Sequence, residues 1–391
     1  MHVVAPLVMP SRFRPSPRRS YAVLSTYPPT PCGIATFAAA LAGGIEEHGG
    51  EVEVVRLSDG LATADPRVAV ELEPRHAPTA LDAIRVLNRA DVVIAQHEYG
   101  IYSGPDGEDV VDLLREVTVP TIVVAHTVLA RPTTRQRMVL EAVVDAASAV
   151  VVMTDVARQR LSDAFAVEDS KIFVIPHGAA VHAAGPRLAL RRGSPLVLTW
   201  GLLGPGKGIE WALDAFALLK DLRPRPRYLV AGATHPKVAA IDGEAYREML
   251  MRRSWARGVA SMVSFDAGYR SLEDLNALVA QAAVVLLPYD SQDQVTSGVL
   301  VDAVAAGRPV VSTAFPHAQE LLGSGAGIVV DQRAPVALAA ALRRVLTEPG
   351  LASSMAAEAA RLAPELGWGS VAGRYAELAS RLLVGHEAVP A

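Results

Sequence analysis

The sequence predicts two doubly wound α/β domains in tandem, and three observations carry the prediction. The chain has 391 residues, beyond the length at which one hydrophobic core stops growing. Its composition, 51% hydrophobic, 5% aromatic and 20% charged, suits Ala/Leu helices packed over Val/Ile strands. Short β-type runs alternate with helical patterns twice over, and a stretch without periodicity separates the two series.

The first series opens with a β-type run at 21–25, a Pro/Gly loop and an Ala-rich helical stretch over 34–47. Further runs follow at 52–57, 91–96, 121–126, 149–154 and 172–176, with helical segments such as 113–116 and 135–147 between several of them. This alternation predicts a mostly parallel sheet with helices on both faces. Residues 181–195, with Gly185, Pro186, an arginine pair and Gly193, read as a connection. The second series places strands at 196–200, 227–231, 263–265, 284–287, 309–313 and 327–330, with helical patterns such as 210–220 and 272–280. At the end, Val371, Tyr375, Leu378 and Leu382 have helical spacing and predict a closing helix that braces both domains. The expected division is a flexible basic leader (1–20), a first domain (21–185), a linker (186–195), a second domain (196–367) and a closing helix with tail (368–391).

A net charge of −4 offers no global field for nucleic acid. Residues 1–45 contain no acidic side chain, while Arg12, Arg14, Arg18 and Arg19 stand among Ser and Pro; this reads as an unstructured tail, with membrane contact at most peripheral. The apolar stretch 3–9 is too short and too Pro-interrupted for a signal-peptide core, and no run of about 18 apolar residues occurs. The expectation is a soluble cytoplasmic protein. Cys32 is the only cysteine, which excludes an internal disulfide and a cysteine-cluster metal site; beside Gly33 it reads as a small loop residue.

Open α/β sheets bind ligands beyond the carboxyl ends of their strands, so the loops after strands carry the chemistry. In Trp200-Gly201-Leu202-Leu203-Gly204-Pro205-Gly206-Lys207-Gly208 a strand ends in glycines and a lysine, and a helix follows. Glycines let backbone N–H groups approach an anion, the helix start adds a positive dipole end and the lysine adds a full charge. The alternative is a surface turn with a solvated lysine. Against it, the 37 lysines and arginines include only four lysines: Lys171, Lys207, Lys220 and Lys237. The pattern is not a Walker loop, because no Ser or Thr follows the lysine. In the second informative loop, Gln294, Thr296, Ser297 and Gly298 open a helix whose first turn can donate N–H groups to phosphate. Gln294 and Asp302 are eight apart, on one side if both lie on the helix. Three strand ends of the first domain carry His97, followed by Glu98, then His126 and His177, all facing one cleft. They lack the His-Glu-x-x-His spacing of a zinc helix.

From Lys207 through Asp302-Ala303-Val304-Ala305-Ala306-Gly307-Arg308-Pro309-Val310-Val311, the chain resembles the retaining family 4 glycosyltransferases of GT-B fold, and the likeness spans about residues 21–383. The resemblance implies two Rossmann-like domains facing a central cleft, and transfer of a hexose from a nucleotide-diphosphate donor to an acceptor hydroxyl with retention. It puts Lys207 on the donor diphosphate with Gly206 beside it, and Gly33 near the phosphates across the cleft. Asp302 stands where the family has a ribose-binding glutamate, and Gln294 where a partner glutamate contacts the sugar. Ser297 and Gly298 would supply backbone donors. His126 falls near the transferred sugar, which makes His126, Lys207 and Gln294 the expected catalytic set. The loops carrying His235 and Arg270 would lie near the nucleotide, the second beside the base. His97, Glu98 and His177 are the candidates for acceptor contacts. No metal or cofactor is expected, the nucleotide-diphosphate sugar being a co-substrate. The partners implied are a UDP- or GDP-hexose and a sugar or glycosylated small-molecule acceptor, with no nucleic acid.

Three departures stand out. The family often has an arginine where this chain has Leu202, and both glutamates are replaced, by Gln294 and Asp302. The missing phosphate contact is expected from Arg270 or Arg308. Two other functions fit the same fold: a nucleotide-sugar 2-epimerase, which needs no acceptor, and a degenerate protein that binds nucleotide-sugar or glycan without turnover. A dinucleotide oxidoreductase is disfavoured, because no Gly-x-Gly-x-x-Gly follows the first strand.

Overall fold

A computed structural model describes residues 18–181, 193–268 and 270–387. The expected leader and linker fall largely outside these residues. The first domain runs β1 (Ser20–Ser25), α1 (Gly33–Glu47), β2 (Glu51–Leu57), β3 (Val68–Leu72), α2 (Ala77–Arg89), β4 (Val92–His97), α3 (Asp109–Arg115), β5 (Thr121–Ala125), α4 (Thr134–Asp145), β6 (Ala149–Val152), α5 (Asp155–Ala164) and β7 (Ile172–Val174). The second runs β8 (Leu196–Trp200), α6 (Ile209–Ala217), β9 (Arg227–Ala231), α7 (Pro236–Asp242), α8 (Ala245–Ala256), β10 (Val263–Asp266), α9 (Leu272–Gln281), β11 (Val284–Leu287), α10 (Gly298–Ala305), β12 (Val310–Thr313), α11 (Pro316–Leu322), β13 (Gly327–Val330) and α12 (Pro335–Thr347). Two helices close the chain, α13 (Leu351–Leu366) and α14 (Trp368–Glu387).

All strands pair in parallel. The first sheet has seven strands in the order β3-β2-β1-β4-β5-β6-β7, and the second has six in the order β10-β9-β8-β11-β12-β13. Helices cover both faces, which is why central strands such as β4, β5 and β6 are buried along their whole length instead of alternating. In each sheet the chain winds outward one way, returns to the middle and winds the other way. The switch point lies between β1 and β4 in the first domain and between β8 and β11 in the second, and there loops splay apart into a crevice. Both domains are Rossmann-like, and the fold is of the GT-B type that the sequence predicted.

The sequence reading passed over β3. It is an edge strand, paired on one side only and half-buried, so it lacks the continuous apolar run of its neighbours.

The closing helix crosses back. Val371, Ala372, Tyr375, Leu378 and Ala379 of α14 are buried in the core of the first domain, with Tyr21, Phe37 and Leu41. Met355 and Ala359 of α13 remain in the second domain's core. Two backbone bonds seal the crossing: Ala179 N–H donates to the Leu366 carbonyl at 2.7 Å, and Trp368 N–H to the Ala179 carbonyl at 3.2 Å. Among the described residues, no helix is long and apolar enough to cross a membrane.

Candidate functional site

The loop after β8 is a tight backbone cradle. Gly208 caps α6 with φ +62°, a left-handed conformation, and any Cβ there would run into the Pro288 carbonyl oxygen, so the position requires glycine. Asp290 N–H donates to the Gly206 carbonyl at 3.0 Å, tying this loop to the one after β11. Held between the two, the Lys207 ammonium sits 4.2 Å from the centre of the Tyr289 ring. Burial pushes this amine down to about 8, and no anionic partner among the described residues offsets the effect. A desolvated cation facing a ring in place of a carboxylate is poised for an incoming anion.

The loop after β11 differs from the sequence expectation. Helix α10 starts at Gly298, so Gln294 stands in the preceding loop, its amide folded onto the Thr296 carbonyl, and does not share a helix face with Asp302. Ser297 is the cap: its hydroxyl accepts from Leu300 N–H at 3.3 Å, which frees the chain before it from helical geometry. Ser297 was also expected to offer its own N–H to phosphate. That N–H is already donated to His317 Nδ1 at 2.8 Å, leaving Gly298 and Val299 as the open donors of the first turn. Asp302, one turn further, has its carboxyl pushed up to about 7 by burial, with no hydrogen bond or charge among the described residues to offset it.

Arg308 does not supply the missing cation. Its guanidinium is buried beyond the carboxyl end of α10, donating to the carbonyls of Ala306, Ala280 and Ala282 at 3.1, 3.2 and 3.5 Å. It closes helix ends, the opposite end of α10 from Gly298. Arg270 pairs with Asp266 four residues earlier, at the carboxyl end of β10. His235 caps α7 by accepting from Lys237 N–H at 3.2 Å, and burial lowers its pKa, helped by the nearby Lys237 and Lys207 charges.

On the first-domain side, Gly33 opens α1 with nothing within 4 Å of where a Cβ would be, so there is free space at this helix start. Cys32 does more than fill space, since its thiol accepts from Ala35 N–H at 3.3 Å and caps α1. The loop before it is anchored by Arg56, whose fully buried guanidinium reaches the Tyr27 carbonyl, Asp59 and Glu71 at 3.1, 2.5 and 2.8 Å. His126, at the end of β5, donates from Nε2 to Gln96 Oε1 at 2.7 Å and meets the Phe37 ring edge-on at 4.9 Å. Burial holds it down to about 3, so the imidazole is neutral at physiological pH.

The three histidines lie near one another, but their surroundings differ. His97 is 2% exposed and packs edge-on against Tyr99 at 5.3 Å, so it is enclosed in this structure. His177 is wedged between Phe37 and Trp368 and reaches the start of α10; a Cβ at Gly298 would lie 2.9 Å from its Nε2. Its place is the contact between domains. Glu98 alone of this group stays at the cleft, its carboxylate accepting from Gly100 N–H at 2.7 Å. Across the cleft the Lys237 ammonium touches the site where Gly100 would carry a Cβ, next to the Glu98 carboxylate.

The domains are closed on one another. Val295 of the loop after β11 is 1% exposed within the first domain's core, and the Thr154 hydroxyl donates to its carbonyl at 3.1 Å. Asp293 accepts from Ala130 N–H at 3.0 Å, and Arg160 donates to the Gln292 carbonyl at 2.8 Å. Glu320 of α11 caps α5 of the other domain, accepting from Asp155 and Val156 N–H at 2.9 and 3.1 Å.

Sequence reasoning missed Tyr289, Asp290, His317 and Glu320. Tyr289 and Asp290 follow β11 after a single proline, so the rule that put weight on Lys207 applied to them equally. His317 and Glu320 carried no such signal, because what they do depends on partners 20 and 165 residues away.

Comparison with known proteins agrees with this architecture. Residues 31–183 match the family model described as Glycosyltransferase Family 4, and residues 185–362 the one described as Glycosyl transferases group 1. The chain is 29% identical over 262 residues to the D-inositol 3-phosphate glycosyltransferase of Kineococcus radiotolerans, covering 59% of this chain and 56% of the relative. With that of Streptomyces coelicolor it shares 32% over 207 residues, covering 52% and 44%. The chain thus spans about half the length of the curated relatives it matches. Among solved structures, Anabaena HepE in complex with UDP and glucose superposes with a TM-score of 0.68 at 17% identity, covering 92% of this chain and 99% of that one. Sucrose-phosphate synthase from Thermosynechococcus elongatus superposes at 0.75 and 19%, covering 94% and 100%.

Proposed function

We propose that this chain, a member of the family 4 glycosyltransferases with the GT-B fold, moves a hexose from a UDP-sugar to a hydroxyl of a small-molecule acceptor with retention of configuration. The observation that carries the reading is Lys207: a desolvated ammonium with no counter-ion among the described residues, in the loop that leads into α6 and is tied to the loop after β11. Uridine is preferred over guanosine because HepE, of like fold, was crystallised with UDP, whereas the chain's own loops give no base preference.

In the proposed reaction the bond from the anomeric carbon to the diphosphate oxygen breaks, and its electron pair leaves with the diphosphate. Lys207 and the N–H groups of Gly298 and Val299 stabilise that charge; each preorganised donor of this type is worth about 3 kcal/mol. The acceptor oxygen bonds the anomeric carbon on the same face and passes its proton to the departing phosphate oxygen. Neutral His126 lies beside the developing oxocarbenium ion without adding positive charge to it, and Asp302 accepts from the ribose hydroxyls. Gln294, in a loop gripped by the first domain, responds to closure and donates to sugar hydroxyls. The nucleotide sugar is co-substrate, and the reading asks for no cofactor. Closure around Val295 and Glu320 excludes water.

Thermal shifts against UDP, GDP and ADP, followed by UDP-hexose hydrolysis with and without sugar acceptors, test the proposal. Lys207-dependent UDP release that acceptors accelerate supports transfer. Donor binding without turnover sinks it, and sugar isomerisation without acceptor points to the epimerase.

A further inference from the structure

The first domain holds a cavity of about 490 Å³ that the reaction above does not use, between α2 and α3 beyond the carboxyl ends of β2 and β3. Its size falls in the range of small-molecule sites, roughly 300–1,000 Å³. Leu57, Leu72, Ile84 and Leu113 make its apolar body. Its rim is acidic: Glu73, Asp109, Asp112 and Glu116 line it, against Arg75 and His76. Arg75 is occupied by Asp109 at 3.3 Å. His76 lies 3.7 Å from Glu73, and Arg115, outside the lining, 3.7 Å from the largely exposed Asp112. Glu116 forms no ion pair among the described residues. The rim therefore keeps an excess of negative charge and offers no uncommitted arginine or lysine.

Hydrogen bonds link the cavity wall to the cleft-side His126. The Tyr102 hydroxyl, on its wall, donates to the Gln96 carbonyl at 2.6 Å, and the Gln96 amide oxygen accepts from His126. Two residues before Tyr102, Gly100 meets Lys237 across the cleft. The loop 98–103 therefore has the cavity on one side and the donor domain on the other.

We infer that this cavity receives the body of the acceptor, and that the acceptor is an apolar-framed molecule carrying a protonated amine. The inference rests on the glycosyl-transfer reading for the word acceptor, and on the cavity alone for the amine. A phosphorylated or carboxylated acceptor would set its charge against the same carboxylates, and like-charge contacts are what such rims select against.

The test uses three probes of one shape: 1-adamantanamine, 1-adamantanol and 1-adamantanecarboxylate, titrated calorimetrically into the full chain at low ionic strength. The amine is expected to bind about tenfold or more tighter than the carboxylate, with the alcohol between, and the gap should narrow as salt is raised because exposed charges are screened. Combining Glu73→Gln, Asp112→Asn and Glu116→Gln should erase the gap while leaving alcohol affinity in place. Ile84→Trp should weaken all three probes, with circular dichroism checking that it folds; the surface triple variant keeps the test open if it does not. Equal or tighter carboxylate binding, no binding of any probe, or an amine preference that survives the triple variant overturns the inference. UDP-hexose hydrolysis by the unmodified chain is read separately. Hydrolysis without amine preference removes only the acceptor inference, and amine binding without hydrolysis removes only the transfer reading.

Discussion

Lys207 follows β8 beside the second domain's switch point, and His126 follows β5 one strand from the first domain's. Both are half-buried, and desolvation lowers both, Lys207 to about 8 and His126 to about 3. The outcomes are opposite at neutral pH. An amine starts so high that the same desolvation leaves it charged, whereas an imidazole loses its proton. One physical effect thus furnishes the cleft with a cation where a diphosphate would sit and with an uncharged ring where a positive sugar would form.

The sharpest way to break this contrast is to remove each group. Lys207→Ala is expected to lower kcat/KM for UDP-hexose by about 100-fold or more, the equivalent of one preorganised donor to the leaving charge. His126→Ala should cost clearly less, about tenfold, since a neutral ring adds no full charge. Steady-state kinetics with equal losses for the two would end the division of labour proposed here.

Backbone gives a second contrast. Gly208→Ala forces a Cβ into the Pro288 carbonyl at positive φ and should destabilise the second domain by about 3 kcal/mol, read by urea unfolding. Gly33→Ala opens the other domain's helix with free space around it and should change stability by less than about 1 kcal/mol. The cradle around the lysine is built to a tolerance that the first-domain loop lacks.

The pH profile sharpens the charge argument. Asp302 must be ionised to accept ribose hydroxyls, and its carboxyl stands at about 7, so kcat/KM should rise with pH through that value. Lys207 must be protonated, so kcat/KM should fall as pH passes about 8. A narrow bell results, and Asp302→Asn should remove its acid limb alone. Linkage has the matching signs. Folded Asp302 holds its proton to higher pH than the unfolded chain, so its contribution to stability falls between about 4 and about 7. Folded Lys207 releases its proton earlier, so its contribution rises between about 8 and about 10.5.

A small effect is also expected at the domain contact. Glu320→Ala removes a carboxylate from the start of α5 and should cost about 1 kcal/mol of stability. If that contact serves closure, donor KM should rise with kcat changed less; an unchanged KM would reduce Glu320 to a plain cap.

Much of the fold was legible along the chain. The strands β8 and β11 begin and end where apolar runs do, because a buried parallel strand writes its burial into consecutive residues. Lys207 was legible too, since a glycine loop between strand and helix is a local pattern. The edge strand β3 was hidden because Glu71 interrupts its short apolar run.

What the sequence alone determined was the architecture: two series of buried strands, the switch-point loops between them and the residue types placed there. Tertiary structure decided which of those residues face the cleft. His97 and His177 end strands as His126 does, yet one is enclosed behind Tyr99 and the other packs beneath α10. Arg308 stands in the family-like run but satisfies carbonyls from another helix, and Ser297 gives its N–H to His317. Strand periodicity is written in neighbours a few residues apart, whereas the direction and charge of a polar side chain depend on the distant groups that fold against it.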